Sequence, residues 1–148
     1  MAKAIYFDMD GTIADFYGVP NWLECLHKSD PTPYQVARPL LNMSLLARLL
    51  NRLQREGWYI GIVSWTSKTG TAEFNEITAT AKMRWLNQHL HSVEWDEVVI
   101  VPYGTPKQTV VQFAVEGILF DDEGRNREAW TGTAYDVENI IEILKGLL

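Results

Sequence analysis

Near the start of the chain, Asp8-Met9-Asp10-Gly11-Thr12 sets two carboxylates two positions apart, with a glycine directly behind them. Residues two apart on an extended strand point the same way, so both acids can face one site. Acids that close repel unless a proton or a cation compensates them. A hard cation such as Mg²⁺ does so, because it takes one or two carboxylates together with water and substrate phosphate. Asp121 and Asp122 offer further anionic ligands. Ser64 and the backbone N–H groups from Trp65 onward can hold phosphate oxygens. Lys107 falls at an expected helix start, where a cation is unfavourable unless an anion lies beside it. Together these groups describe phosphoryl transfer through an aspartyl phosphate. One Asp attacks, the other exchanges protons with the leaving and attacking oxygens, and metal and Lys neutralise the equatorial oxygens. Taken singly, each has a plainer reading as a turn, a loop start or a surface lysine.

Positioning these groups requires strands that end where they begin. AIYF (4–7), WYIGIV (58–63), EVVIV (97–101) and GILF (117–120) are short apolar runs that read as buried strands, and a weaker one spans 132–135. Helical patterns lie between them. The first runs from Leu40 to Arg55 and stops at Gly57. The second runs from Ala72 to Leu90, with Phe74, Ile77, Ala81, Trp85 and Leu86 on one stripe. A third, Lys107 to Val115, opens just after Pro106, and the last, Asp136 to Leu147, takes Asp136 as its N-cap. Alternating strands and helices predict an α/β fold: a doubly wound, mainly parallel sheet in a Rossmann-type three-layer sandwich. Ligands in such folds bind beyond the carboxyl ends of the strands. Asp8/Asp10, Ser64, Tyr103–Lys107 and Asp121/Asp122 all follow expected strands.

The 148 residues fit a single domain, 1–148, and a 47 % hydrophobic fraction supports a packed core. A net charge of −6 argues against non-specific nucleic-acid binding. The lone Cys25 rules out an intrachain disulfide and a multi-cysteine zinc site. No run approaches a membrane span and the N-terminus lacks a signal-peptide core, so a cytoplasmic protein is expected. A P-loop is excluded, because no GxxxxGK[ST] run occurs.

The four clusters DMDGT (8–12), Ser64 after IGIV, Lys107 in GTPKQ and FDDE (120–123) resemble, in order, the motifs of the haloacid dehalogenase (HAD) superfamily. The resemblance implies a HAD-like Mg²⁺-dependent phosphatase with Asp8 as nucleophile and metal ligand. It makes Asp10 the acid/base, with its carbonyl on the metal, and it gives phosphate to Ser64, Trp65 and Lys107. Asp122 then binds the metal directly and Asp121 through water or at second hand. FDDEGRN (120–126) resembles the compact magnesium-dependent phosphatases, and DMDGTIADF (8–16) resembles the 5′(3′)-deoxyribonucleotidases. A receiver-like, phospho-regulated module is the alternative, although its Lys would follow the acidic pairs and here Lys107 precedes Asp121.

Fifty-five residues separate Asp8 from Ser64, and about 25 of them, near 15–39, are free to form an insert. A full cap does not fit, so a short flap is expected. The flap is aromatic: Phe16, Tyr17, Trp22 and Tyr34 either stack on a substrate such as a nucleotide or pack the loop onto the body. Arg125, just after the acids, is a further candidate for substrate contact. The three histidines lack metal spacing, and Trp58, Trp85, Trp95 and Trp130 read as core. The expected substrate is a phosphomonoester: nucleotide, sugar phosphate or phosphorylated macromolecule.

Overall fold

A computed structural model describes residues 3–148. Five parallel strands form the central sheet: β1 (Ala4–Phe7), β4 (Tyr59–Trp65), β5 (Glu97–Val101), β6 (Ile118–Phe120) and β7 (Thr133–Tyr135). Their order is β5-β4-β1-β6-β7, which puts β1 in the middle and makes it the strand with the switch in winding direction beside it. A separate two-stranded ribbon, β2 (Ala14–Asp15) antiparallel to β3 (Arg38–Pro39), closes the base of the insert. Within the insert lie the short helices α1 (Trp22–His27) and α2 (Thr32–Val36).

Alternation along the strands divides the core in two. Ile5, Phe7, Ile60, Ile62 and Phe120 pack beneath α3 (Met43–Arg55), α4 (Ala72–His89) and α6 (Ile140–Gly146). Ala4, Tyr6, Val63 and Leu119 face the other way, against Phe113, Ala114 and Trp130, the last just after α5 (Gly124–Ala129). Helix α3 begins at Met43 rather than Leu40, because Asn42 caps it by accepting the Leu45 N–H at 3.1 Å. Asp136 does cap the last segment, which opens as a 3₁₀ turn (137–139) before α6.

The helix expected over 107–115 is absent. Only a 3₁₀ turn, Lys107–Thr109, forms there. Thr109, Val110 and Val111 are β-branched and weak helix formers. The N–H groups beyond them are also claimed from outside the segment. Gln112 N–H donates to Glu97 Oε1 (3.3 Å) and Phe113 N–H to the Tyr6 hydroxyl (3.1 Å). The Tyr6 ring reaches that position because residue 61 is a glycine, whose Cβ would lie 2.7 Å from Tyr6 Cε1. A second correction concerns α4: Ile77 is 43 % exposed, and its buried face runs instead through Phe74, Thr78, Ala81, Lys82, Trp85 and Leu86. Trp85 and Trp130 are buried, while Trp58 and Trp95 are half-buried against the core.

No helix among the described residues is long and apolar enough to cross a membrane.

Candidate active site

The ladder of β1 runs one residue beyond the strand: Asp8 N–H donates to Phe120 O at 2.9 Å, which places Asp8 alongside Asp121 and Asp122. The chain then coils tightly. Met9 O accepts N–H bonds from Thr12, Ile13 and Ala14 at 3.0–3.1 Å. Gly11 sits at φ 80°, a left-handed conformation that costs a side-chain-bearing residue dearly. Its missing Cβ also makes room, since a Cβ there would overlap the Asp122 carboxylate.

Lys107 is 2 % exposed and bridges two acids, with Nζ 3.0 Å from Asp8 Oδ1 and 2.6 Å from Asp121 Oδ2. Asp121 is fully buried and accepts also from Asn126 Nδ2 (3.1 Å) and the Glu123 N–H (2.9 Å). Thr12 Oγ1 lies 3.1 Å from Asp8 Oδ2 and 3.5 Å from Asp122 Oδ1. Ser64 lies on β4 one residue before its end, opposite Ile100, with its side chain fully buried. Trp65 closes the strand, its indole N–H donating to Thr105 O at 2.8 Å and its ring facing Lys107 Nζ at 5.3 Å. The structure therefore brings Asp8, Asp10, Ser64, Trp65, Lys107, Asp121 and Asp122 to the rim of one cavity of about 300 Å³.

One charged member of the cluster is not legible from motif spacing. Lys82 of α4 is 1 % exposed and donates to Asp10 Oδ2 (2.9 Å), Ser64 Oγ (2.7 Å) and Trp65 O (2.7 Å). Its signal in the sequence is positional: it stands four residues after Thr78 and eight after Phe74, on the buried face of α4.

Burial alone raises every carboxyl here, and the lysines decide which acids escape that fate. For Asp8 the burial cost is overcome by the Lys107 charge, hydrogen bonding with Asp122 and the Lys82 charge, which hold it below the usual carboxylate range. Asp10 goes the other way, because burial and the Asp8 charge outweigh Lys82. Burial and then the Asp8 charge push Asp121 up to about 6 and Asp122 up to about 8. One carboxyl pushed down beside one pushed up is the pattern that suits a nucleophile next to a proton donor.

The donor set also suits a hard cation. Carboxylate oxygens of Asp8, Asp121 and Asp122 lie within 4.8 Å of one another. Fully ionised, four aspartates and two buried lysines leave a charge of −2, which one divalent cation balances.

The insert supplies the far wall. Phe16 and Tyr34 are buried and pack with Phe74 and Ala81, which fixes the insert to α4. Tyr17 is half-exposed and meets Trp22 edge to face at 5.0 Å, and both line the cavity with Leu23, Leu26 and His27. Phe16 and Tyr34 also border the cavity, so all four aromatic residues of the insert pack on the body side or edge of the same wall. Arg125 stands outside the lining, its guanidinium 5.1 Å from the Trp65 ring centre and its Nη2 donating to the Tyr103 hydroxyl at 3.2 Å.

No family model and no curated protein matches the chain. Among solved structures it resembles a D,D-heptose 1,7-bisphosphate phosphatase from B. bronchiseptica, complexed with magnesium and phosphate. The TM-score is 0.59 at 15 % identity, covering 98 % of this chain and 97 % of that one. The D,D-heptose 1,7-bisphosphate phosphatase of Burkholderia thailandensis gives a TM-score of 0.61 at 14 % identity with the same coverage. The fold is HAD-like. At such low identity the likeness concerns the path of the chain, and the chemistry must be argued from the residues themselves.

Proposed function

We propose that the protein is a Mg²⁺-dependent phosphomonoesterase working through an aspartyl phosphate on Asp8. The observation that carries this is the convergence of four strand ends on one cavity, with Lys107 bound to both Asp8 and Asp121. The magnesium and phosphate bound by one structural neighbour support the same reading. Asp8 Oδ attacks phosphorus, the bond from phosphorus to the ester oxygen breaks, and Asp10 passes its proton to that oxygen. Water then attacks the phosphoryl group and gives a proton to Asp10, and the bond to Asp8 breaks to free phosphate and restore the carboxylate. Ser64, the backbone after Trp65 and Lys107 hold the equatorial oxygens. Mg²⁺ on Asp8, Asp122 and the Asp10 carbonyl would neutralise phosphate charge, with Asp121 in support through Lys107 and Asn126.

The domain is a single catalytic body whose insert near 15–39 serves as the substrate flap. Tyr17 and Trp22 on one wall and Trp65 on the other favour a substrate with a flat ring, which ranks nucleotides ahead of sugar phosphates and phosphorylated macromolecules. The test is turnover on a panel of nucleotides, sugar phosphates, phosphopeptides and phosphorylated oligonucleotides. Phosphate release that needs Mg²⁺ and disappears in Asp8→Asn is expected. Stoichiometric phosphorylation without turnover would favour the receiver-like module instead, and no reaction with any ester would overturn both.

A further inference from the structure

A lysine buried to 1 % exposure inside a helix face is costly unless every donor is used. Lys82 uses all three, and its partners are not a random set. They are the side chain of Asp10, the side chain of Ser64 and the carbonyl of Trp65. These come from two different strand ends of the site, just beyond β1 and at the end of β4. The ammonium also lies 5.2 Å from the centre of the Tyr34 ring, so the insert covers it from another side. Asp10, Ser64 and Trp65 line the cavity, whereas Lys82 does not. It stands behind them, out of reach of a substrate.

A carboxylate that shuttles a proton must hold one oxygen at the ester oxygen and cannot rotate freely. Asp10 is held by one hydrogen bond at Oδ2, from Lys82, and 19 % of its side chain stays open toward the cavity. We infer that Lys82 is a positioning residue: it orients the Asp10 carboxylate for proton transfer and couples that orientation to the phosphate-binding Ser64. The inference rests on the phosphatase reading above. Lys107 and Lys82 thereby divide the work. One lysine faces the acid that attacks, and the other braces the acid that protonates.

The test compares leaving groups. A p-nitrophenyl ester departs without much help from an acid, while an alkyl phosphate needs a proton on its oxygen. Lys82→Met keeps the length of the side chain and removes its donors. Expected is a fall in kcat/KM of about 100-fold on an alkyl phosphate and of less than about tenfold on p-nitrophenyl phosphate, as misplacing an acid catalyst by about 1 Å implies. In the Asp10→Asn background, Lys82→Met should add less than about tenfold on either ester, the part that runs through Ser64, because the acid it orients is already disabled. If Lys82→Met fails to fold by near-UV circular dichroism, Lys82→Arg carries the same comparison, with the charge kept and the donors displaced. Equal losses on both esters, or losses that multiply in the Asp10→Asn background, would overturn the inference. A wild-type protein inactive on both esters with Mg²⁺ would instead overturn the phosphatase reading.

Discussion

Replacing Gly11 by alanine separates stability from metal binding in a way that follows from two numbers. Gly11 has φ 80°, and holding an alanine there costs about 1–2 kcal/mol. The added Cβ would lie 2.8 Å from Asp122 Cγ and 3.1 Å from Tyr17 Cε2. Because the Asp122 carboxylate can rotate away, overlap adds little to the strain. Rotation, however, takes Asp122 out of the acid cluster it forms with Asp8 and Asp121. At about 2–4 °C per kcal/mol for a chain of this size, the metal-free Tm should fall by about 2–8 °C. Mg²⁺ affinity should fall disproportionately, by about 100-fold or more, since displacing even an outer partner of a ligand costs 10–100-fold. The assays are thermal unfolding with chelator and titration calorimetry with Mg²⁺. Asp122→Ala is the control, with the same loss of affinity and no loss of metal-free stability. A Gly11→Ala protein that is destabilised but binds Mg²⁺ as well as wild type would refute the assignment of Asp122 to the metal.

Acidity should act on the same cluster. Asp121, at about 6, and Asp122, at about 8, both lie above their ordinary value of 3.8. A carboxyl raised on folding favours the folded state below its unfolded pKa, and this is lost as pH rises through the folded value. Metal-free Tm should therefore decline from about pH 4 to about pH 8, while the Tm gain from Mg²⁺ grows over that window; a flat profile would contradict the crowding of these acids. Lys107→Met strips Asp121 and Asp8 of their shared cation. It should lower stability at neutral pH by about 3–5 kcal/mol in urea titrations and cut kcat by at least about 100-fold. Tyr6→Phe leaves the Phe113 N–H without its partner and should cost about 1–3 kcal/mol by urea midpoint, with no change in Mg²⁺ affinity.

Much of this site can be read from residue order because its parts follow apolar strands, and a strand's end is a local event. Ile5 and Phe7 are followed at once by Asp8, and Leu119 and Phe120 by Asp121. The errors have non-local causes. The 107–115 segment has the apolar spacing of a helix, but its backbone is claimed by Tyr6 and Glu97, far away in sequence and adjacent in the sheet. Lys82 looks like an ordinary exposed cation in mid-helix. Only the position of its partners on β4 and after β1 reveals that Thr78 and Lys82, not Ile77, occupy the inward face. Polar residues drawn inward by a site defeat a reading based on hydrophobicity, and they do so where function is concentrated.

The ribbon at the base of the insert pairs Ala14 with Pro39 and Asp15 with Arg38, and between those pairs the chain leaves the sheet and returns to nearly the same place. Such a stalk makes residues 16–37 a replaceable unit. Doubling the length of a loop whose ends are already pinned adds only about 0.6 kcal/mol of closure entropy. New walls can be grown on this stalk without disturbing the register of β1, β4 or β6. Trp65 aside, the groups proposed to break the ester and the walls proposed to select it thus lie on separable stretches of chain, free to diversify at different rates.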